Sequence, residues 1–153
     1  MKRIEVKLSL GAVAPLLDVI KAAGDSLDDE LAASVALEQI DEDLRSEWRD
    51  ELIAAQNGDV RNLLALFDSE FFTSGVVNFD EDNADSILRS CAAVRLRLRE
   101  RYLGTFSDEV LETGEVLFEE MPEPERRHFM CYLFLATVQE LVIEHLEPTL
   151  SDE

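Results

Sequence analysis

The stretch Phe129-Met-Cys-Tyr-Leu-Phe-Leu-Ala-Thr-Val138 carries no charge, in a chain of 153 residues whose 14 Lys and Arg face 34 Asp and Glu, a formal net charge of −20. Pro124 suits the first turn of a helix, because its missing N–H is one the helix would leave unpaired, and Pro148 ends that helix near Leu146. A helix that is apolar on all sides belongs in the middle of a protein, with other helices around it. The expected fold class is mainly α: a helical bundle around a central apolar C-terminal helix.

Working outward, the preceding segments supply the surrounding helices. Asp80 caps a helix running to about Leu103, acidic at its start (Glu81, Asp82, Asp85) and basic at its end, the order the helix dipole favours. Ser107 caps another to about Glu119. Upstream, Leu37, Ile40, Leu44, Trp48 and Leu52 form one apolar stripe on a helix expected over about 28–56, with Ser26 as its cap and Asn57-Gly58 as its stop. A short helix over 60–72 buries Leu63, Leu64, Phe67 and Phe71. Ala12 to Ala23 reads as a helix ended by Gly24. Ile4, Val6, Leu8 and Leu10 alternate with polar residues, which predicts a strand over about 3–10 broken by Gly11. Val76, Val77 and Phe79 predict its mate over 76–79, giving a small two-stranded sheet. The whole is expected to be a single helical domain over 1–147 with a frayed acidic tail, 148–153.

Composition excludes several functions. A surface this acidic repels phosphate backbones, so no nucleic-acid partner is expected. Arg89, Arg95, Arg97, Arg99 and Arg101 concentrate in one segment, where they are expected to offset carboxylates of neighbouring helices. No run of about 20 apolar residues predicts a membrane span. With no export signal read at the N-terminus, a cytoplasmic location is expected, with Cys91 and Cys131 reduced. The single, scattered glycines build no phosphate loop. No cofactor is called for. If a partner exists, the charge favours a basic protein; oligomeric state is left open.

Three patterns bear on chemistry. Glu125-Arg-Arg-His128 is one Glu-x-x-His unit, but His145 has Val142 at the matching position, so the pair a di-metal bundle requires is missing. His128 and Cys131 share a helix face, yet Cys131 lies in the most apolar stretch, where burial raises a thiol's pKa and makes it inert. Glu140 is flanked by Val138, Leu141, Val142 and Ile143. A lone buried carboxylate there would cost several kcal/mol, so Arg95, between Val94 and Leu96, is expected to form a buried structural pair with it, with Gln139 taking leftover donors. The alternative is that Glu140 reaches solvent at the edge of the bundle and Arg95 pairs with a surface acid such as Glu100; helical phase leaves both open.

Phe79-Asp-Glu-Asp-Asn-Ala84, then Val94-Arg-Leu-Arg-Leu98, then His128-Phe-x-x-Tyr132-x-x-Leu135-x-x-x-Gln139-Glu140 resembles a bacterial family, a domain of unknown function best known in actinobacteria and often encoded near the ClpS adaptor. The match lies mainly over residues 77–140, with weaker echoes at Arg49-Asp-Glu-Leu52 and Arg61-Asn-Leu-Leu64. Arg95 and Glu140 stand where the family carries Arg and Glu. Between Phe72 and Val76 a tight turn replaces the extra helical segment usual in the family. The resemblance implies a helical, non-enzymatic, regulatory protein and transfers no catalytic residue.

The functional expectation is a non-catalytic cytoplasmic interaction or regulatory domain. Two alternatives stand beside it: a thiol-based redox regulator using Cys91 and Cys131, and a carboxylate metal-binding enzyme.

Overall fold

The computed structural model describes residues 2–33, 38, 40–115 and 118–146. The fold is a mainly α-helical bundle with an apolar C-terminal helix and a two-stranded antiparallel sheet. In chain order the elements are β1 (Arg3–Lys7), α1 (Leu10–Ser26), α2 (Glu42–Ala65), α3 (Ser69–Ser74), β2 (Val76–Asp80), α4 (Ala84–Arg101), α5 (Asp108–Thr113) and α6 (Glu123–Leu146), with a single 3₁₀ turn over Phe118–Glu120 before α6. The expected tail, 148–153, lies outside the described residues.

The sheet pairs as the alternation requires. Ile4 faces Phe79 and Val6 faces Val77; the two β2 members are buried and the two β1 members half-buried. β1 is shorter than the expected 3–10. Ser9 is extended, its carbonyl accepts from the N–H groups of Ala12 and Val13, and α1 starts at Leu10. Gly11, expected to break the strand, therefore sits in the first turn of a helix. Gly75 closes α3 with φ +79°, and a Cβ there would lie 2.6 Å from the Leu8 carbonyl oxygen, so this turn accepts only glycine.

The largest departures from expectation are around α2. The helix expected over 28–56 begins only at Glu42 and runs through Asn57-Gly58 to Ala65. The reason is tertiary. Gln56 Nε2 donates to the carbonyls of Leu27 (3.0 Å) and Glu30 (2.9 Å), its Oε1 accepts from Ala32 N–H (3.0 Å), and Asn57 Nδ2 donates to Asp28 O (2.9 Å). Four bonds to the 27–32 loop outweigh a Gly penalty of about 1 kcal/mol. Ser26, expected to cap that helix, instead ends α1 and donates to Ala23 O. Gly24, expected to terminate α1, lies within it; a Cβ there would meet Val60 Cγ1 at 2.8 Å, so the residue lets α1 and α2 approach closely.

The expected 60–72 helix divides into the end of α2 and α3, whose cap is Asp68, accepting from Phe71 N–H. Asp80 and Asn83 exchange side-chain-to-backbone hydrogen bonds that set the start of α4 three residues later than expected. Ser107 caps α5 as expected, but Gly114 at φ +70° ends it well before Glu119.

α6 packs against α1, α4 and β2. Phe129, Cys131, Leu135, Val138 and Val142 are its buried row. It is not enclosed all round: Met130 is exposed, and Leu133 and Phe134 are half-buried. By length and composition alone α6 could cross a membrane, since an 18-residue window reaches a mean hydropathy of 1.3. Its buried row is used inside the bundle, as in any core helix.

Candidate functional site

Arg95 and Gln139 meet across α4 and α6, but Glu140 is not their partner. Arg95 Nη1 donates to Gln139 Oε1 at 2.8 Å, and Gln139 Nε2 donates to Leu88 O at 3.2 Å. The guanidinium lies 4.3 Å over the centre of the Tyr132 ring, whose face attracts a cation. Glu140 is exposed. The expectation of a buried Arg95–Glu140 ion pair is thus corrected: Gln139 takes the inward position one step earlier on the helix, and the carboxylate stays in water. The cluster ties α4 to α6.

Cys91 and Cys131 are fully buried and free. Burial pushes both thiols up to about 12, with Arg95 pulling weakly the other way on Cys91 and Cys91 adding to the rise at Cys131. The thiolate is the reactive form, so this environment gives no support to redox chemistry. Neither does a metal centre find ligands: among the described residues no group of three or more His, Cys, Asp and Glu side chains converges. His128 instead stacks on Tyr102, ring centres 3.8 Å apart and 7° from parallel. Its pKa is lowered by burial and then by the neighbouring charge of Arg127.

The arginine-rich end of α4 is largely neutralised within the fold. Arg89 Nε and Nη2 grip Asp59 of α2 at 2.9 and 3.0 Å. Asp59 Oδ1 also accepts from Ser86 Oγ (2.7 Å), which accepts in turn from Asn62 Nδ2 (2.9 Å). These bonds hold the Arg89 pKa above its ordinary value against the opposing effect of burial, with Asp85 helping. Arg99 pairs with Asp108 of α5. Arg97 is buried and its Nη2 lies 2.9 Å from Glu30 Oε1 in the 27–32 loop.

Beside the Asp59–Arg89 pair lies a feature that sequence reasoning missed. α2 and α4 run antiparallel, as the Asn62–Ser86 and Asp59–Arg89 contacts require, and leave between them a groove of about 370 Å³, closed on its third side by Leu31, Ala32 and Ala33. Its walls are almost entirely apolar: Leu52 and Ala55 on α2, Ala92, Ala93 and Leu96 on α4. Leu44 (47% exposed) and Trp48 (48%) continue the Leu52 row along α2. The stripe was expected from the sequence; its exposure was not. Leu37, the first member of that stripe, lies outside the described residues. The signal was present in the phase: Ile53, Val60 and Leu63 are the buried residues of α2, on a face rotated by roughly a quarter turn from 44, 48 and 52 at 100° per residue. A helix with two apolar faces uses only one for its own core.

A helical bundle with an apolar groove and no assembled catalytic constellation among its described residues is the class of protein these observations define. The family profile described as "Domain of unknown function (DUF2017)" matches residues 14–146, and the chain belongs to that family. The match extends well beyond the 77–140 region legible by eye. No curated protein and no solved structure matches the chain.

Proposed function

We propose that this protein is a non-catalytic interaction or regulatory domain that works in the cytoplasm and engages a basic protein partner. The observation that carries the reading is the α2–α4 groove. Each polar side chain lining it already has an internal partner: Gln56 with the 27–32 backbone, Asp59 with Arg89 and Ser86, Ser90 Oγ with Ile87 O. Catalytic sites and small-molecule sites need a few polar groups aimed at the ligand; a surface that offers apolar contact alone fits another protein. The net charge of −20 favours a cationic partner and a salt-sensitive encounter. The test is to recover the tagged full-length chain from native extract at low salt and identify what accompanies it by cross-linking and mass spectrometry. A stoichiometric protein, released as salt is raised, is expected. Recovery of a tightly held metabolite that the chain converts would overturn the reading.

A further inference from the structure

We propose that the α2–α4 groove is the docking site for one amphipathic helix of a partner protein, with an apolar row of about four turns and Lys or Arg along its flanks. The inference deepens the interaction reading and rests on it. Size comes first. The apolar row Leu44, Trp48, Leu52, Ala55 continues to the lip at Asp59, 15 residue steps along the helix and therefore about 22 Å at 1.5 Å per residue. The groove floor is built from small side chains, Ala55 facing Ala92 and Ala93, which allows a third helix to approach to the usual 8–10 Å between axes. A helix laid into such a groove presents its contacts at i, i+3, i+4 and i+7. Leu96, 38% exposed on the facing wall, would pack against that row.

Charge selects the occupant. Glu47 and Glu51 stand three residues beyond Leu44 and Trp48, hence along the solvent edge of the row, and Glu100 lies one turn beyond Leu96 on α4. All three are exposed, and none makes an ion pair among the described residues. The cations nearby are engaged: Arg89 with Asp59, Arg49 with Asp29 O at 2.6 Å, Arg45 with Ile40 O at 3.2 Å. The rim thus offers unpaired carboxylates beside an apolar floor. A second copy of this chain is a poor occupant, because each copy carries −20 and the encounter sets acid against acid. A small molecule finds only polar side chains that already have internal partners among the described residues, and few of them.

The test uses the full chain labelled with ¹⁵N and a designed amidated 15-residue helical peptide, Leu and Ala on one face and Lys on its flanks. Three control probes accompany it: the same peptide with Glu for Lys, the Lys peptide with Ser for its apolar row, and a neutral apolar alcohol. Saturable shifts concentrated at Leu52, Ala55, Ala93 and Leu96, given by the Lys–Leu peptide alone, are expected. Two variants at exposed positions probe the contact, their folding checked by thermal melting. Ala55→Arg places a cation on the floor and should weaken binding about tenfold or more; Leu96→Gln removes an apolar wall and should weaken it about fivefold. The proposal is overturned if the Ser-row peptide binds as well as the Leu peptide, since charge alone then suffices. It is equally overturned if the shifts map to another face, if folded variants bind like wild type, or if only the alcohol occupies the groove. The extract experiment separates the two levels. A partner still retained by the Ala55→Arg chain leaves the interaction reading standing and removes the groove from it, whereas a wild-type chain that retains no protein fails the broader reading whatever the peptide does.

Discussion

Replacing Arg97 by Met should stabilise this protein, although it deletes an arginine engaged in an ion pair. The Arg97 side chain is only 3% exposed, while its partner Glu30 is 56% exposed. Arg97 Nε and Nη2 are buried without a hydrogen bond among the described residues; the 2.9 Å contact of Nη2 with Glu30 Oε1 is an ion-pair approach without hydrogen-bond alignment. Two opposing quantities decide the sign. The attraction at 2.9 Å would be about 1.4 kcal/mol in bulk water and about 6 kcal/mol at an effective dielectric constant of 20. With Glu30 more than half in water, screening brings the net value to about 1 kcal/mol. Against it stand two desolvated donors, at about 1–3 kcal/mol each, and the burial of the charge itself. Met reproduces the aliphatic stem, ends two atoms short of the guanidinium tip, and has no donor to desolvate. The balance favours Arg97→Met by about 1–3 kcal/mol.

The assay is urea unfolding of four chains: wild type, Arg97→Met, Glu30→Gln and the double variant. Glu30→Gln leaves the buried cation without its counter-charge and should cost about 1 kcal/mol. In the Met background the same change should be nearly neutral, so the double-mutant cycle should return a coupling of about 1 kcal/mol. A loss of more than 1 kcal/mol in Arg97→Met, with the urea dependence unchanged, would refute the reasoning: it would mean that the guanidinium makes net favourable interactions where it is buried.

Three further outcomes are expected. Gln139→Ala breaks both the Arg95 and the Leu88 contacts and should cost about 1–2 kcal/mol by denaturant unfolding, whereas Glu140→Gln, at an exposed position, should change stability by less than about 0.5 kcal/mol. Gly24→Ala should destabilise by about 1 kcal/mol net, the clash with Val60 exceeding the gain in helix propensity; adding Val60→Ala should relieve the clash term, read as positive coupling in the double-mutant cycle. Cys91 and Cys131 should resist a thiol reagent at pH 8 in the native chain and react once urea unfolds it. Because native thiols hold their protons to about 12 and unfolded ones ionise near about 8.5, the stability they contribute is fully present below about pH 8.5 and is lost as pH rises towards 12, by up to about 1.4 kcal/mol per unit for each thiol. A melting temperature independent of pH across that window would contradict this.

The sheet and α6 were legible because their signals are local. Alternation over Arg3–Lys7 and Val76–Asp80 has one solution, pairing, and a ten-residue stretch without charge marks a helix with a buried row, though Met130 on it stays exposed. α4 was legible from its charge order, acidic at the start and basic at the end, and its Ile87, Cys91, Val94 and Leu98 prove to be its buried face. The 27–32 loop was not, because its conformation is set by partners distant in sequence: Gln56 and Asn57 read as a helix stop, yet their amide groups hold that loop. The same remoteness hid the polar cluster. Gln139 and Glu140 are equally placed by pattern, and only the position of Tyr132 and Leu88 makes the amide the inward group, since an amide can accept from Arg95 and donate to a carbonyl at once while a carboxylate can only accept. The groove was hidden for a different reason. Leu44, Trp48 and Leu52 read as one apolar stripe, and such a stripe on a helix usually faces the core. Yet α2 already has a core face in Ile53, Val60 and Leu63. Counting faces rather than apolar residues would have left a second stripe without an internal use, and an apolar stripe with no internal use is what an interaction surface looks like in sequence.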